Sequence, residues 1–198
     1  MISHITKEAG MSNAQYVSAG KPKIGGAIFA APVGTPLPTD TSSALDAAFK
    51  NLGYCSDDGL TNSTNIDSQK IKAWGGDTVL VILTSKEDTF KYTLIEVKNV
   101  DVLKHVYGSE NVTGDLDTGI TIKANGSEPE EQSIVIDMIL RDNTAKRIVI
   151  PSGKLSDLGD INYSDEDPIG YETTLDCIPD AEGNTHYEYI LKSSTPSA

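Results

Sequence analysis

The chain has 198 residues, which is enough for one domain with a real core and short for two. Its hydrophobic content, 38%, is low for a compact enzyme of this size, and its formal net charge of −13 argues against nucleic-acid binding by phosphate neutralisation. Ten acidic side chains and one lysine fall in residues 155–198, and such a surface either lines a passage that nucleic acid slides through or keeps the protein in solution.

The spacing of cysteines and histidines forms no redox or metal motif. Cys55 and Cys177 are far apart and outside any C-x-x-C pattern, so we expect two free thiols in a protein made in a reducing cytoplasm. His4, His105 and His186 form no H-x-H or H-x-x-x-H pair, and we expect neither a metal nor another cofactor. We also expect no signal peptide and no membrane insertion.

The first third of the chain predicts an arm followed by short elements. Residues 1–24 are polar and aperiodic, which favours a flexible N-terminal arm. Residues 27–31 predict a short strand. Ser43 with Asp46 resembles a capping box and predicts a short helix that Gly53 ends.

The middle of the chain predicts a loop, a hairpin and a packed helix. We expect a loop over 57–64, a strand over 66–74, and a turn at 86–88. Residues 77–85 are nearly continuous Val, Leu and Ile, which is typical of a strand covered on both faces. Phe90, Tyr92 and Leu94 alternate on the next strand. A helix then begins at the N-cap Asn99 and ends at Gly108, with His105 opposite its apolar stripe and therefore expected in solvent.

The second half predicts strands separated by turns. We expect strands over 118–124, 132–141, 146–151, 169–177 and 187–191, with a turn at Asp142 and Asn143. The clearest alternation places Glu172 and Asp176 opposite an apolar face. The whole pattern predicts a mainly β fold: a β-sandwich or partly open barrel of two packed antiparallel sheets with one or two short flanking α-helices.

Two functions other than assembly stay open from these residues. The acidic loops 57–59 and 164–167 suit a non-assembling β-sandwich module that binds a cation or a sugar, although neither has EF-hand spacing. A single Asp-Thr-Gly at 117–119 matches the tripeptide of aspartic proteases, which need two such aspartates, and it is also an ordinary turn. We expect no enzymatic activity.

A series of segments occurs in one order along the chain: 26–38, 44–54 with 56–61, 74–108, 135–140, 146–151 and 179–184. In this order the segments resemble the major tail tube proteins of long-tailed, non-contractile bacteriophages of the siphovirus type. The resemblance covers most of residues 25–191. It implies a single β-sandwich tail tube domain over 25–191, with a flexible N-terminal arm at 1–24 and a flexible tail at 192–198.

The resemblance also implies a structural role in the virion tail, assembled in the host bacterial cytoplasm. Subunits would form stacked hexameric rings through which phage DNA passes without specific binding. A subunit of a phage-derived tail-like particle is the alternative. The implied partners are other copies of the chain, a tape-measure protein, a tail terminator and baseplate or distal tail proteins.

Two sets of residues are candidates for roles in such a tube. Glu172 and Asp176 are expected to face the lumen. The candidate subunit-interface residues are Ile24, Ile28, Phe29, Leu60, Ile66, Ile71 and Trp74.

Overall fold

The computed structural model describes residues 12–192, which are mainly antiparallel β-structure with one α-helix. The helix, α1, spans Val100–Tyr107, and single 3-10 turns occupy Ala14–Tyr16, Ser109–Asn111 and Arg141–Asn143. The strands are β1 (Lys21–Pro22), β2 (Ile28–Pro32), β3 (Lys50–Asn51), β4 (Cys55–Lys72), β5 (Thr78–Leu94), β6 (Val112–Thr113), β7 (Thr121–Ile122), β8 (Glu131–Ile139), β9 (Thr144–Leu158), β10 (Tyr171–Ile178) and β11 (Tyr187–Lys192).

The strands form one large sheet and one small sheet. The order in the large sheet is β3-β2-β8-β9-β10-β5-β4, with β1 beside β8 and β11 beside β9, while β6 and β7 pair separately. The first half of β9 pairs with β11 and its second half with β10, so the large sheet branches at the middle of β9. The expected mainly β fold with two antiparallel sheets is confirmed. Within residues 12–192 the large sheet does not close into a barrel.

The main core lies between the large sheet and α1. Phe90, Tyr92 and Leu94 of β5 are all buried, which confirms the predicted alternation. β10 contributes Tyr171, Thr173 and Leu175 in the same way. The other buried residues of this core are Ile28, Ala30, Leu52, Val102, Leu103, Val106, Val112, Ile134, Ile136, Ile148, Ile150 and Cys177.

A second, smaller cluster covers the opposite face of β8 and β9. Val135 and Val149 are buried there with Phe49, under the proline-containing segment 33–49. Since Ile134 and Ile136 point into the main core, β8 is buried on both faces. Coverage of both faces, which the sequence predicts for 77–85, therefore occurs on β8 instead.

A buried ion pair holds segment 33–49 against the sheet. Arg147 donates from Nε and Nη2 to both oxygens of Asp137, at 2.6 and 2.8 Å. Its Nη1 donates to the carbonyl oxygens of Asp40 and Ser43, at 3.0 and 2.9 Å. The prediction of a helix from Ser43 to Gly53 is wrong, and these contacts of Arg147 explain why. Arg147 binds the Ser43 carbonyl that a first helical turn would use, and the segment makes only one turn before β3.

Helix α1 begins and ends where the sequence predicts. The Asn99 side chain accepts the Asp101 N–H at 3.0 Å, and Gly108 ends the helix with φ of 90°. The prediction that His105 lies in solvent is wrong, because this side chain is 6% exposed. Its Nδ1 lies 2.6 Å from Gln132 Oε1 and its Nε2 lies 2.9 Å from the Tyr92 hydroxyl. Both ring nitrogens thus have partners in the neutral imidazole.

Two further boundaries differ from the sequence prediction. The loop expected over 57–64 is part of β4, and the turn expected at 86–88 is part of β5. Leu60 to Asp67 of β4 pair in register with β5, and these pairs include residues 86–88, so cross-strand pairing overrides the polar turn-like composition there. The strand expected over 118–124 is reduced to two residues, while the turn at Asp142 and Asn143 is confirmed, with both φ angles positive.

The predicted arms are only partly within the described residues. Residues 1–11 and 193–198, which hold most of both arms, lie outside them. Within the described part of the N-terminal arm, Lys21 and Pro22 pair with Ile139 and Met138 of β8, so the arm contacts the sheet before residue 25. The domain boundaries at 24 and 192 stay predictions.

Candidate assembly surface

A long β-hairpin formed by β4 and β5 extends from the body of the protein. β4 is an edge strand of the large sheet, and residues 61–84 are exposed without interruption. At roughly 3.3 Å per residue, the nine residues from Thr64 to Lys72 span on the order of 30 Å. The turn is closed by the Ala73 N–H, which donates to the Asp77 carbonyl at 2.8 Å. Gly75 and Gly76 adopt φ angles of 113° and 100°, which other residues rarely adopt.

Both faces of the hairpin carry apolar side chains. Cross-strand partners share a face, so the pairing of Ile71 with Leu80 places these two side chains together, next to Ile82. The other face presents Val79, Val81 and Leu83. All six side chains are 40–62% exposed. The sequence correctly predicts a strand at 77–85, but the expectation that it is covered on both faces is wrong for the single chain, because no second layer of the described residues packs against it.

The hairpin is close to neutral in an acidic chain. Between residues 61 and 86 there are three lysines and two aspartates, a net charge of +1, whereas the whole chain has a net charge of −13. Copies of a strongly acidic protein repel each other. A nearly neutral apolar surface lets a second copy approach with less of this repulsion.

The candidate interface residues fall into two groups. Ile66, Ile71 and Trp74 lie together on the hairpin, and Trp74 at its tip is 107% exposed. Ile24 is fully exposed but lies beside β1, away from the hairpin in the chain.

The remaining three candidate interface residues pack within the body. Ile28 is 1% exposed, so the main core of the single chain accounts for its side chain without a partner. Phe29 packs against the second cluster and Leu60 against the main core. The interface as a whole stays a prediction.

Glu172 and Asp176 lie on the exposed face of β10, as the alternation predicts. Each has a hydrogen-bond partner, and only Glu172 has an ion-pair partner. The Lys91 Nζ lies 2.5 Å from Glu172 Oε1, and Ser156 donates to Asp176 Oδ1 at 2.8 Å. The ion pair raises the pKa of Lys91. Whether this face lines a lumen stays a prediction.

Of the segments considered for cation binding or proteolysis, residues 57–59 lie in a strand and the Asp-Thr-Gly tripeptide begins in a turn. In residues 12–192 no group of three His, Cys, Asp or Glu side chains is arranged to hold a metal ion. Asp57 and Asp58 belong to β4. Near the Asp-Thr-Gly tripeptide, Asp115 Oδ1 accepts the Thr118 hydroxyl at 2.7 Å and the backbone N–H groups of Thr118 and Asp117 at 2.7 and 3.0 Å. The hydroxyl bond first, and then the backbone bonds, lower the pKa of Asp115. This is a capped turn.

Sequence reasoning missed the most prominent apolar surface, residues 79–83. A continuous apolar run gives the same sequence pattern whether the strand is buried by its own chain or by another chain. The signal that separates the two cases is the partner strand. Ser68, Gln69 and Lys70 lie directly opposite the run in β4, and such a polar strand is atypical of a sheet centre.

The fold and this surface define a small β-structured protein with a two-faced apolar hairpin that no other part of residues 12–192 covers. Residues 9–198 match the family described as phage tail tube protein, and the chain belongs to that family. It is therefore a structural component of a phage tail tube. The comparison with curated proteins finds no significant match.

No helix in residues 12–192 has the length and apolarity that crossing a bilayer requires.

Proposed function

We propose that this protein polymerises as stacked hexameric rings to form the tail tube, and that the phage genome passes through the bore during delivery. The ring of six and its stacking come from the resemblance to tail tube proteins of siphovirus type. Assembly in the host cytoplasm and contacts with a tape-measure protein, a tail terminator and distal tail proteins belong to the same proposal.

The observation that carries the proposal is the apolar hairpin. Six large aliphatic side chains half exposed on both faces cost free energy in water, at about 25 cal/mol per Å² of apolar surface. Burial on both faces requires one contact above the hairpin and one below it. β4 also presents an unpaired backbone edge among the described residues, which favours strand pairing with another copy. Head-to-tail contacts of this kind propagate until they are capped.

A valine pair in the chain offers a matched test of this surface. Val81 on the hairpin is 55% exposed, and Val33 on the body is 49% exposed. We expect Val81→Asp to raise the protein concentration needed for assembly at least tenfold, because burying one unpaired carboxylate costs more than about 1.4 kcal/mol. Val33→Asp should assemble like the unmodified protein. Sedimentation velocity and negative-stain microscopy of concentrated protein measure both.

Two results would contradict the proposal. One is assembly of Val81→Asp at the same concentration as the unmodified protein. The other is an unmodified protein that stays dispersed at high concentration, which would favour the non-assembling binding module.

The bore is the second part of the proposal. We expect the acidic face of β10 to repel DNA, so purified tubes should show no DNA binding at physiological salt. Reversing Glu172 and Asp176 to lysine should leave tubes intact and slow genome ejection, measured as DNA release from particles. Unchanged release would place these residues on the outer surface, and strong salt-sensitive DNA binding by the unmodified tube would reveal a basic groove.

A further inference from the structure

A buried carboxylate lies at the root of the hairpin. Asp88 of β5 is 2% exposed, although residues 61–84 are exposed throughout. Two residues further along the strand, Phe90 belongs to the main core. Asp88 therefore marks the point where the hairpin leaves the body. Burying a charged side chain destabilises the folded state unless the charge is paired, so the partners of Asp88 explain why it can lie here.

Three separate segments meet at this carboxylate. Thr64 of β4, its cross-strand partner, donates from its hydroxyl to Asp88 Oδ1. Thr185, in the connection between β10 and β11, donates to Oδ2 at 2.5 Å. Lys86 Nζ lies 3.6 Å from the same oxygen, and the ring nitrogen Nδ1 of His186 lies 3.9 Å from it. Burial alone raises the pKa of Asp88, but these hydrogen bonds and charges outweigh it and leave the pKa below its ordinary value.

We propose that Asp88 is a positioning residue that fixes the direction in which the assembly hairpin leaves the body. It joins both strands of the hairpin to the loop before β11. The effect on assembly rests on the proposed function; the effect on hairpin direction does not.

The direction of the hairpin is important for a subunit that must fit its neighbours, because a small rotation at the root produces a large displacement of the tip. The ladder between β4 and β5 is irregular between Cys55 and Leu60, so backbone pairing holds the root less firmly on that side. An arm on the order of 30 Å long moves its tip by about 5 Å when its root turns by about 10°. Such a displacement is larger than the packing tolerance of an apolar interface.

The test measures hairpin direction in the monomer. Spin labels are placed at Trp74→Cys on the tip and Glu110→Cys on the exposed side of the body, in a background with both native cysteines replaced by alanine. Electron-electron double resonance then gives the distribution of distances between the two labels. Circular dichroism and hydrogen exchange in β8 and β9 check that each variant keeps its fold.

Matched variants isolate the contact to the body. Thr185→Val removes the hydroxyl without changing side-chain size and should broaden the distance distribution at least twofold. Thr185→Ser keeps the hydroxyl and should restore the narrow distribution. Asp88→Asn should broaden it as well. Asp67→Asn is the control, since Asp67 is an exposed carboxylate of the same hairpin that accepts a hydrogen bond from Ser85 at 3.2 Å.

Assembly supplies the second readout. Without spin labels, Asp88→Asn and Thr185→Val should raise the assembly concentration about tenfold. Asp165→Asn, which changes an exposed carboxylate of a body loop away from the hairpin, should leave it unchanged. Distributions of unaltered width in Thr185→Val overturn the proposal, and so does broadening without any effect on assembly. If the unmodified protein does not assemble at all, the proposed function fails, while the distance measurement still decides whether Asp88 fixes the hairpin.

Discussion

Replacing Arg147 by methionine tests how segment 33–49 is held on the sheet. Methionine keeps an unbranched side chain and fills much of the same volume. The change leaves the Asp137 carboxylate, 5% exposed, without its bidentate partner. It also leaves the carbonyl oxygens of Asp40 and Ser43 without the donor that Arg147 supplies.

The size of the loss follows from these partners. Removing one member of a buried ion pair costs about 3–5 kcal/mol, because the other charge stays buried. Lys23 Nζ lies 3.5 Å from Asp137 and is half exposed, so it compensates part of the Asp137 charge. We therefore expect a loss at the lower end of this range, about 3 kcal/mol. For a chain of this length, that loss lowers Tm by about 6–12 °C.

Urea unfolding and calorimetry of the monomer measure the effect. Arg141→Met is the matched control, since Arg141 is exposed, and we expect a change within about 0.5 kcal/mol. Adding Asp137→Asn to Arg147→Met removes the unpaired charge, so the double variant should lose at least about 1 kcal/mol less than the sum of the single losses. A loss under about 1 kcal/mol for Arg147→Met, or strict additivity, would refute the reasoning.

Three other outcomes can be measured directly. Burial lowers the pKa of His105 below 6.5, so the unfolded chain takes up a proton that the folded chain resists. Above about pH 6.5, His105 should not lower the free energy of unfolding. Below that pH, the free energy of unfolding should fall by up to about 1.4 kcal/mol per pH unit. Urea unfolding midpoints measure this slope, and the slope should be smaller in His105→Gln. Gly53→Ala should cost at least about 1 kcal/mol more than Gly59→Ala. Both have positive φ, but only at Gly53 would a new Cβ displace the Glu96 carboxyl, which accepts hydrogen bonds from the Tyr54 N–H and the Asn99 amide. Deleting residues 1–24 should block polymerisation and leave the body folded, as microscopy and circular dichroism would show.

The sequence predicts strands best where each strand has one buried and one exposed face. On β10 and on the inner part of β5 the period of two is set by a single core, so burial follows the alternation. The same reasoning succeeds for α1, whose N-cap and terminating glycine are local signals. It fails from Ser43 to Gly53, where Arg147 binds the backbone from more than a hundred residues away. No local pattern contains that contact.

The candidate surface can be predicted in part from the sequence. The apolar character of the segment indicates Ile66, Ile71 and Trp74 as interface candidates, and these three residues lie on one hairpin. The sequence predicts too short a hairpin because it predicts a loop at 57–64. Asn, Ser and Thr at 62–65 are typical of turns, yet these residues pair in register with β5. Asp88 is predicted in a turn for the same reason. In the structure it is buried and accepts a hydrogen bond from Thr185, a residue that no spacing rule relates to it.

The single tryptophan of the chain lies at the hairpin tip, fully in water. An indole in water fluoresces at longer wavelength than one in an apolar site, and no other tryptophan contributes to the signal. Each monomer thus contains its own optical reporter at the far end of the surface proposed to make contact. Mixing experiments can follow a blue shift of the tryptophan emission in real time without a label. If the tip docks early, the emission maximum should shift before light scattering rises. The order of those two signals would show whether the hairpin begins assembly or closes it.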